Sequence, residues 1–478
     1  MKKPFKNKRI TIMGLGLHGG GAGVAKFFCE QGARVLVTDL KTEEQLKESL
    51  KKLRGLKIEY ILGSHRQKDF IEADLVVKNP AVPQSSPYLK IAADNKVPVK
   101  NDIQIFFDLC PAEIVGITGT KGKSTVSTLI YLLLKSKNKN TFLAGNIGVS
   151  PLELLEKIRK TSVVVLELSS FELEELNKSP GIAVFTNLLQ DHLDRYNNFA
   201  EYAESKNPIF KFQKKNDILI LNYDDPAVRK IGSLAPSRVY FYSKKPLSGQ
   251  TRAAAFIKNG LIYFGKEEKA ILAVDKIALR GEHNLSNVLA AVSAACIMGG
   301  IKDENIKKVL KRFNGIPFRQ EFIEEINGIK YFNDTAATMP GAVIEAINFF
   351  SEECKPFNVI LIAGGQNKGL DYEKLAEKIN GEIKNLVLLP GTASDEIKKH
   401  LKAKVNLIEA PSLKGALEKA ALIARKGDII LFSPGAASFN LFKNEFDRGR
   451  QFNQEIKKLG AANTLKENNN GGPKIQSH

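Results

Sequence analysis

Residues 113–136 read EIVGITGTKGKSTVSTLIYLLLKS: an apolar run, a turn with two glycines, then an amphipathic segment. That order predicts a buried strand, a tight loop and a helix opening near Ser124. Gly119 and Gly122 let the backbone bend so that successive N–H groups face one point. Thr120, Lys121 and Thr125 complete the turn. The helix adds its free N–H groups and the positive end of its dipole. Such a loop suits a triphosphate, with Lys123 reaching the outer phosphates and Ser124 offering a hydroxyl to Mg²⁺. The usual G-x-x-x-x-G-K-[ST] spacing needs a glycine where Ile117 stands; Gly116 is one residue early, so the loop is of a tighter type. The plainer alternative is a strand–helix turn that happens to read GKS. A strand before it and a helix after it speak against that.

A chain of 478 residues is too long for one core, and roughly two to four domains are expected. The formal charge of +19 raises the question of nucleic acid. The lysines, however, are interleaved with glutamates, as in LKTEEQLKESLKKLRGLK, which reads as a solvated helical face. No nucleic-acid partner is expected, and the positive field also favours an anionic small molecule. Cys29, Cys110, Cys296 and Cys354 lie far apart and read as reduced, buried thiols. There is no apolar signal core and no apolar run of about 18 residues, so a cytoplasmic protein without membrane contact is expected.

Strands alternating with helices predict an α/β fold in three domains, 1–105, 106–314 and 315–460, with a disordered tail over 461–478. The first opens on KRITIMGLG, entering Gly14-x-Gly16-x-x-Gly19, with Asp39 ending the next strand. This Rossmann-like fingerprint places a phosphate near backbone without requiring a dinucleotide. ADLVVKNP, read as the third strand, ends at the loop Asn79-Pro80-Ala81, at an end where ligands sit in doubly wound sheets. The central domain carries an antiparallel patch, marked by a hairpin at Asn259-Gly260. The third opens on a hairpin at Asn327-Gly328, and FNVILIAGG, KNLVLLPG and DIILFSPG make it Rossmann-like as well.

Three candidate metal ligands belong to the central domain. They are Ser124, Glu167 at the end of VVVLELSS, and His192 in Asp191-His192-Leu193-Asp194. Alone, Glu167 is as well explained as a capping acid and His192 as a loop histidine. Their convergence on one edge of one predicted sheet raises both. In the third domain Arg319, Asp334, the Gly364–Gly369 stretch and the 433–438 stretch put polar groups at one end of a sheet.

The chain resembles the Mur ligases, the ATP-dependent amide-forming ligases of peptidoglycan precursor synthesis, and most of all their glutamate-adding branch. The resemblance rests on TGTKGKST, GNIG, ELSSFELE, the DHLDRY block with Lys206 after it, GEHNLSNVLAA, PFRQE, NDTAAT, GGQNKGLDY and SPGAASFNLFKNEFDRGRQF, in that order. It implies an acyl-phosphate mechanism using ATP and two Mg²⁺ ions. Lys123, Glu167, His192 and a carbamylated Lys206 would be catalytic, with Ser124, Glu167, His192 and Lys206 organising the metals. Gly119–Thr125, Asn284, Asn287, Arg319 and Asp334 would hold ATP. Leu15, Gly16, Leu17, His18, Asp39, Asn79, Pro80 and Ala81 would hold the UDP substrate, with Asn146 and Ser169 lining its acyl end. Thr338, Lys368, Ser438 and Phe439 would hold the amino acid. The implied partners are UDP-N-acetylmuramoyl-L-alanine and glutamate, bound by a monomer. Three positions depart from the glutamate-adding pattern: Ala336 where a lysine is usual, Phe318 where a histidine is usual, and Glu445, with Phe446 after it, where an aromatic is usual. An NAD-dependent oxidoreductase would use the first glycine loop but leaves TGTKGKST and the third domain unexplained.

Overall fold

A computed structural model describes residues 3–16, 20–147, 149–189, 195–247, 252–279, 281–353, 358–367, 369–438 and 441–470. The chain forms three α/β sheets in two compact units, Met1–Phe313 and Asn314–His478. The first sheet is wholly parallel, in the order Ile58–Leu62, Arg34–Asp39, Arg9–Met13, Leu75–Lys78, Val99–Lys100. The chain steps outward from Arg9–Met13 on one side and returns at Leu75–Lys78 on the other. The loops after these two strands therefore flank the switch point, where open parallel sheets bind ligands.

The central sheet has nine strands. Glu113–Thr118 lies between Val163–Glu167 and Ile182–Phe185 and is parallel to both, with Ile117 opposite Glu167 and Val184. All three strands thus release their C-terminal loops at one edge. The expected antiparallel patch is Ala253–Lys258, Leu261–Phe264 and Lys269–Ala273. Its first turn has Asn259 at φ 48° and Gly260 at φ 72°, the left-handed pair that a two-residue hairpin requires. A continuous core runs through Ile12 and Phe28 of the first sheet region, Phe106 and Leu152, and on to Leu166 and Phe185.

The third sheet runs Glu321–Ile326, Ile329–Asn333, Ile429–Phe432, Val359–Gly364, Asn385–Leu389, Asn406–Glu409. Among the described residues, the opening hairpin is the antiparallel strand pair and the other strands pair in parallel. Leu361, Leu388 and Leu431 pack on one face and Ile360, Val387 and Ile430 on the other, as expected of a parallel sheet covered on both sides.

Three expectations change. The last helix is Glu445–Asn470, so the stretch from 461 expected to be disordered continues the helix. Nothing in its composition breaks a helix before the Gly471-Gly472-Pro473 sequence, and 471–478 lie outside the described residues. Cys29, Cys110 and Cys296 are free but half-buried rather than buried, and Cys354 lies outside the described residues. LVVK is the fourth strand of its sheet region, because the edge strand Ile58–Leu62 precedes it. The lysine-rich faces are solvated as expected; Lys47–Glu44 and Lys51–Glu48 are exposed one-turn pairs. Among the described residues no helix is long and apolar enough to cross a membrane.

Candidate active site

The phosphate loop joins Glu113–Thr118 to the helix Lys123–Lys135. Gly122 caps the helix at φ 82°, and a Cβ there would lie 2.2 Å from Asn287 Oδ1. Gly119 stands at φ 142°, where a Cβ would lie 2.0 Å from Thr186 Oγ1. Both glycines are therefore required by fit as well as by conformation. The loop is held from the next strand. Asn187 accepts from Lys121 N (2.8 Å) and donates to Lys121 O (2.9 Å), while Thr120 N donates to Asn187 O (2.9 Å). Thr120 Oγ1 meets the Tyr202 hydroxyl at 3.0 Å. Lys123 turns its ammonium onto the carbonyls of Gly119 (3.0 Å) and Thr120 (2.8 Å). Thr125 is half-buried in the first turn of the helix. Asn284 and Asn287 sit one turn apart on Glu282–Met298, joined by a 3.0 Å bond.

Glu167 ends its strand only 1% exposed. Its carboxylate accepts from Ser124 (3.1 Å), Ser127 (3.4 Å) and the Asn146 amide (3.1 Å), all neutral donors. Ser169 caps the short helix Ser170–Leu173 through a capping box with Glu172. Burial, then the nearby Asp102, pushes the Glu172 carboxyl up to about 8. Lys206 is 1% exposed, with its ammonium 4.6 Å from the centre of the Tyr202 ring. Among the described residues no group of three His, Cys, Asp or Glu gathers into a metal site. The described donors that do meet are Ser124 and Glu167.

In the first sheet, Asp39 is buried and spends its carboxylate on the glycine loop. Leu15 N (2.9 Å) and Gly16 N (3.3 Å) donate to one oxygen and Lys41 N (2.9 Å) to the other. Asn79 binds Ala81 N (3.0 Å) and Gly14 O (3.4 Å), so the two loops at the switch point are tied together. The Leu15 side chain is fully buried. It is an apolar anchor of the core.

In the third sheet, the loops after Ile329–Asn333, Val359–Gly364 and Ile429–Phe432 meet. Gln366 pairs with Ala437, and Gly435 N donates to Ala337 O (2.9 Å). Asp334 is buried and accepts from Ser433 (2.6 Å) and Gln320 N (3.1 Å). Burial pushes its carboxyl up to about 7, against the pull of those donors and of Arg319. Arg448, 1% exposed, donates to Ala436 O (3.0 Å) and Thr335 O (2.9 Å), stitching two of the loops together. Arg319 is exposed, Thr338 half-buried and Ser438 buried.

Family models for the MurD-like N-terminal domain, the Mur ligase middle domain and the Mur ligase glutamate ligase domain match residues 8–101, 117–295 and 318–435. A UDP-N-acetylmuramoylalanine–D-glutamate ligase of Roseiflexus sp. is 40% identical over 463 residues, 94% of this chain and 98% of its own. The chain belongs to the Mur ligase family. A ligase of the same name from Acetivibrio thermocellus is 34% identical, over 96% of this chain and 98% of its own. Among solved structures, the UDP-N-acetylmuramate–alanine ligase MurC of Thermotoga maritima shares the fold. It has a TM-score of 0.53 at 20% identity, over 95% of this chain and 100% of its own.

In this Mur ligase Ser124 and Asn146 both bond to Glu167 at one sheet edge, Lys123 opens the helix that carries Ser124, and Lys206 lies buried against the Tyr202 ring. His192, Leu17, His18, Lys368 and Phe439 lie outside the described residues. Two of the departures from the glutamate-adding pattern, Ala336 and Phe318, are neighbours, and Phe446, beside the third, joins them. Ala336 N donates to Phe318 O (2.8 Å), and the Phe318 and Phe446 rings meet edge-on at 6.2 Å. Phe318 holds φ 65°, a strained conformation for a bulky residue, fixed by that bond and by Glu321 on its own N–H (2.9 Å). Ser127, Asn187, Tyr202 and Arg448 went unread in the sequence. Ser127 carries the one available signal, lying one helical turn beyond Ser124 on the same face.

Proposed function

We propose that this Mur ligase joins D-glutamate to UDP-N-acetylmuramoyl-L-alanine, with ATP cleaved to ADP and phosphate, in peptidoglycan precursor synthesis. The observation that carries the reading is the meeting of the phosphate loop with Glu167 at the ends of two paired parallel strands. A carboxylate oxygen of the alanyl group attacks the γ-phosphorus, and the bond to ADP breaks. The resulting acyl phosphate is attacked at its carbonyl carbon by the glutamate amine, which loses a proton as phosphate leaves.

The chain's own groups orient these steps. Phosphate oxygens replace the Gly119 and Thr120 carbonyls as acceptors for Lys123, whose charge then faces the transferring group. The remaining loop residues, Gly119–Thr125, cradle the phosphates, and Asn284 and Asn287 serve the adenine. Ser124 and Glu167 are hard oxygen donors already drawn together, and they fit Mg²⁺. Mg²⁺ held there would neutralise charge spread over the transferring phosphoryl group. Two ions would be held, with His192 and a carbamylated Lys206 completing the site. Asn146 and Ser169 line the acyl end of the substrate. Leu15, Gly16, Leu17, His18, Asp39 and Asn79–Ala81 take its UDP end. Arg319 and Asp334 serve the nucleotide, and Thr338, Lys368, Ser438 and Phe439 serve glutamate. The protein works as a cytoplasmic monomer on these small molecules.

The test is phosphate release from ATP with UDP-N-acetylmuramoyl-L-alanine, supplied with D- or L-glutamate in turn. Release that depends on D-glutamate is expected. Turnover with L-glutamate alone would overturn the amino-acid assignment, and no amino-acid-dependent turnover would overturn the function.

A further inference from the structure

Two consecutive glutamates grip both flanks of Asn79. Glu175 Oε1 lies 2.7 Å from Lys78 Nζ, an ammonium whose side chain is only 1% exposed and whose other acceptor is Val82 O (3.3 Å). Glu174 holds Arg195 at 3.2 Å and accepts from the Tyr196 hydroxyl. Arg195 in turn donates to Pro80 O (3.3 Å), with its guanidinium stacked 4.0 Å from the centre of the Phe171 ring. The same segment is pinned along its backbone. Asn101 donates to Glu172 O (3.3 Å) and Gln104 to Glu175 O (2.6 Å).

Residues 167–175 therefore span two loops. One end is Glu167, bonded to Ser124 of the phosphate loop; the other is Glu174-Glu175, holding the residues on either side of Asn79. A buried ion pair adds little net stability, because desolvation offsets the attraction. What it does supply is geometry, since an ammonium buried beside a single carboxylate has few alternative positions.

We infer that Glu174 and Glu175, with Lys78 and Arg195, form a clip that sets the distance between the first sheet's substrate loop and the phosphate loop. They are positioning residues. They do not bind either substrate; they fix where the acyl carboxylate arrives relative to the transferring phosphoryl group. The inference rests on the reading that Asn79–Ala81 holds the UDP substrate.

The test uses the full chain carrying Glu175→Asp, which keeps both charges but draws the carboxylate back by one methylene, and separately Lys78→Met. Affinity for UDP and for Mg·ADP is measured alongside turnover and melting temperature. A misplacement of about 1 Å can cost on the order of a hundredfold in rate. The clip predicts that Glu175→Asp lowers kcat by about tenfold while both affinities stay within about threefold of the parent. Lys78→Met should show the same split. Turnover within about twofold of the parent in Glu175→Asp would overturn the clip, as would UDP affinity falling in step with kcat. A parent chain that fails to bind UDP would instead overturn the functional reading, and the clip with it.

Discussion

Gly122 is where one missing side chain decides the shape of the proposed nucleotide site. Alanine there would meet Asn287 Oδ1 and hold a left-handed conformation that costs roughly 1–2 kcal/mol. Gly122→Ala is expected to lose at least about tenfold in Mg·ADP affinity, measured by calorimetry, while UDP affinity is unchanged; equal ADP affinity would refute the fit. Glu172 makes a different prediction. Its carboxyl titrates at about 8 in the fold against 4.5 in the unfolded chain, so between those values only the folded state holds the proton. Stability must then fall as pH rises through the window and level off above it. Asp102, pushed up to about 6 by burial, slopes the same way but levels off sooner. Glu172→Gln should therefore flatten the melting-temperature profile between pH 6 and 8. Parallel profiles for parent and variant would contradict the shift. At this scale the sequence showed Lys123, Ser124 and Glu167, because a loop motif and a strand end announce them. It could not show Glu172 as a buried acid, since ELSSFELE reads equally well as a solvated helix start.

At the scale of elements, the phosphate loop is shaped by the neighbouring strand rather than by its own residues alone. Asn187, just beyond Ile182–Phe185, brackets Lys121 with two side-chain bonds. Asn187→Ala removes an acceptor from the Lys121 N–H and one donor from its carbonyl, which Thr186 Oγ1 still serves (2.8 Å), a cost of about 1–3 kcal/mol. The expected readout is weakened Mg·ADP binding and slower turnover with the UDP site intact; unchanged nucleotide affinity would show that the loop keeps its shape unaided. Strands of the sheet centres were legible, as in KRITIMG or VVVLELSS, because burial on both faces makes a continuous apolar run. Ile58–Leu62, Val99–Lys100, Thr141–Gly145 and Asn406–Glu409 were not. Each is at the edge of its sheet, and three of them are half-exposed or exposed, which dilutes the apolar pattern. Both Asn-Gly hairpins were legible because their turn chemistry is local: Asn327 and Gly328 stand at φ 55° and 76°.

Across the whole molecule, three sheets fall into two compact units, and each presents its loops from the C-terminal ends of parallel strands. The order of motifs along the chain was enough to place the family. What the sequence could not convey is how separate loops are tied together. Arg448 joins the 334–338 and 433–438 loops from a helix more than a hundred residues beyond the first, a contact without any local signature. Phe318, Ala336 and Phe446 likewise became one cluster only in the fold. The central claim is that the phosphate loop passes the γ-phosphoryl group to the carboxylate of the UDP substrate. It is tested most directly by turnover of UDP-N-acetylmuramoyl-L-alanine labelled with ¹⁸O in both carboxylate oxygens, with ATP and D-glutamate. An acyl phosphate predicts one ¹⁸O in each phosphate released, and no label transfer in Lys123→Ala; unlabelled phosphate from the parent chain, accompanied by amide product, would contradict it.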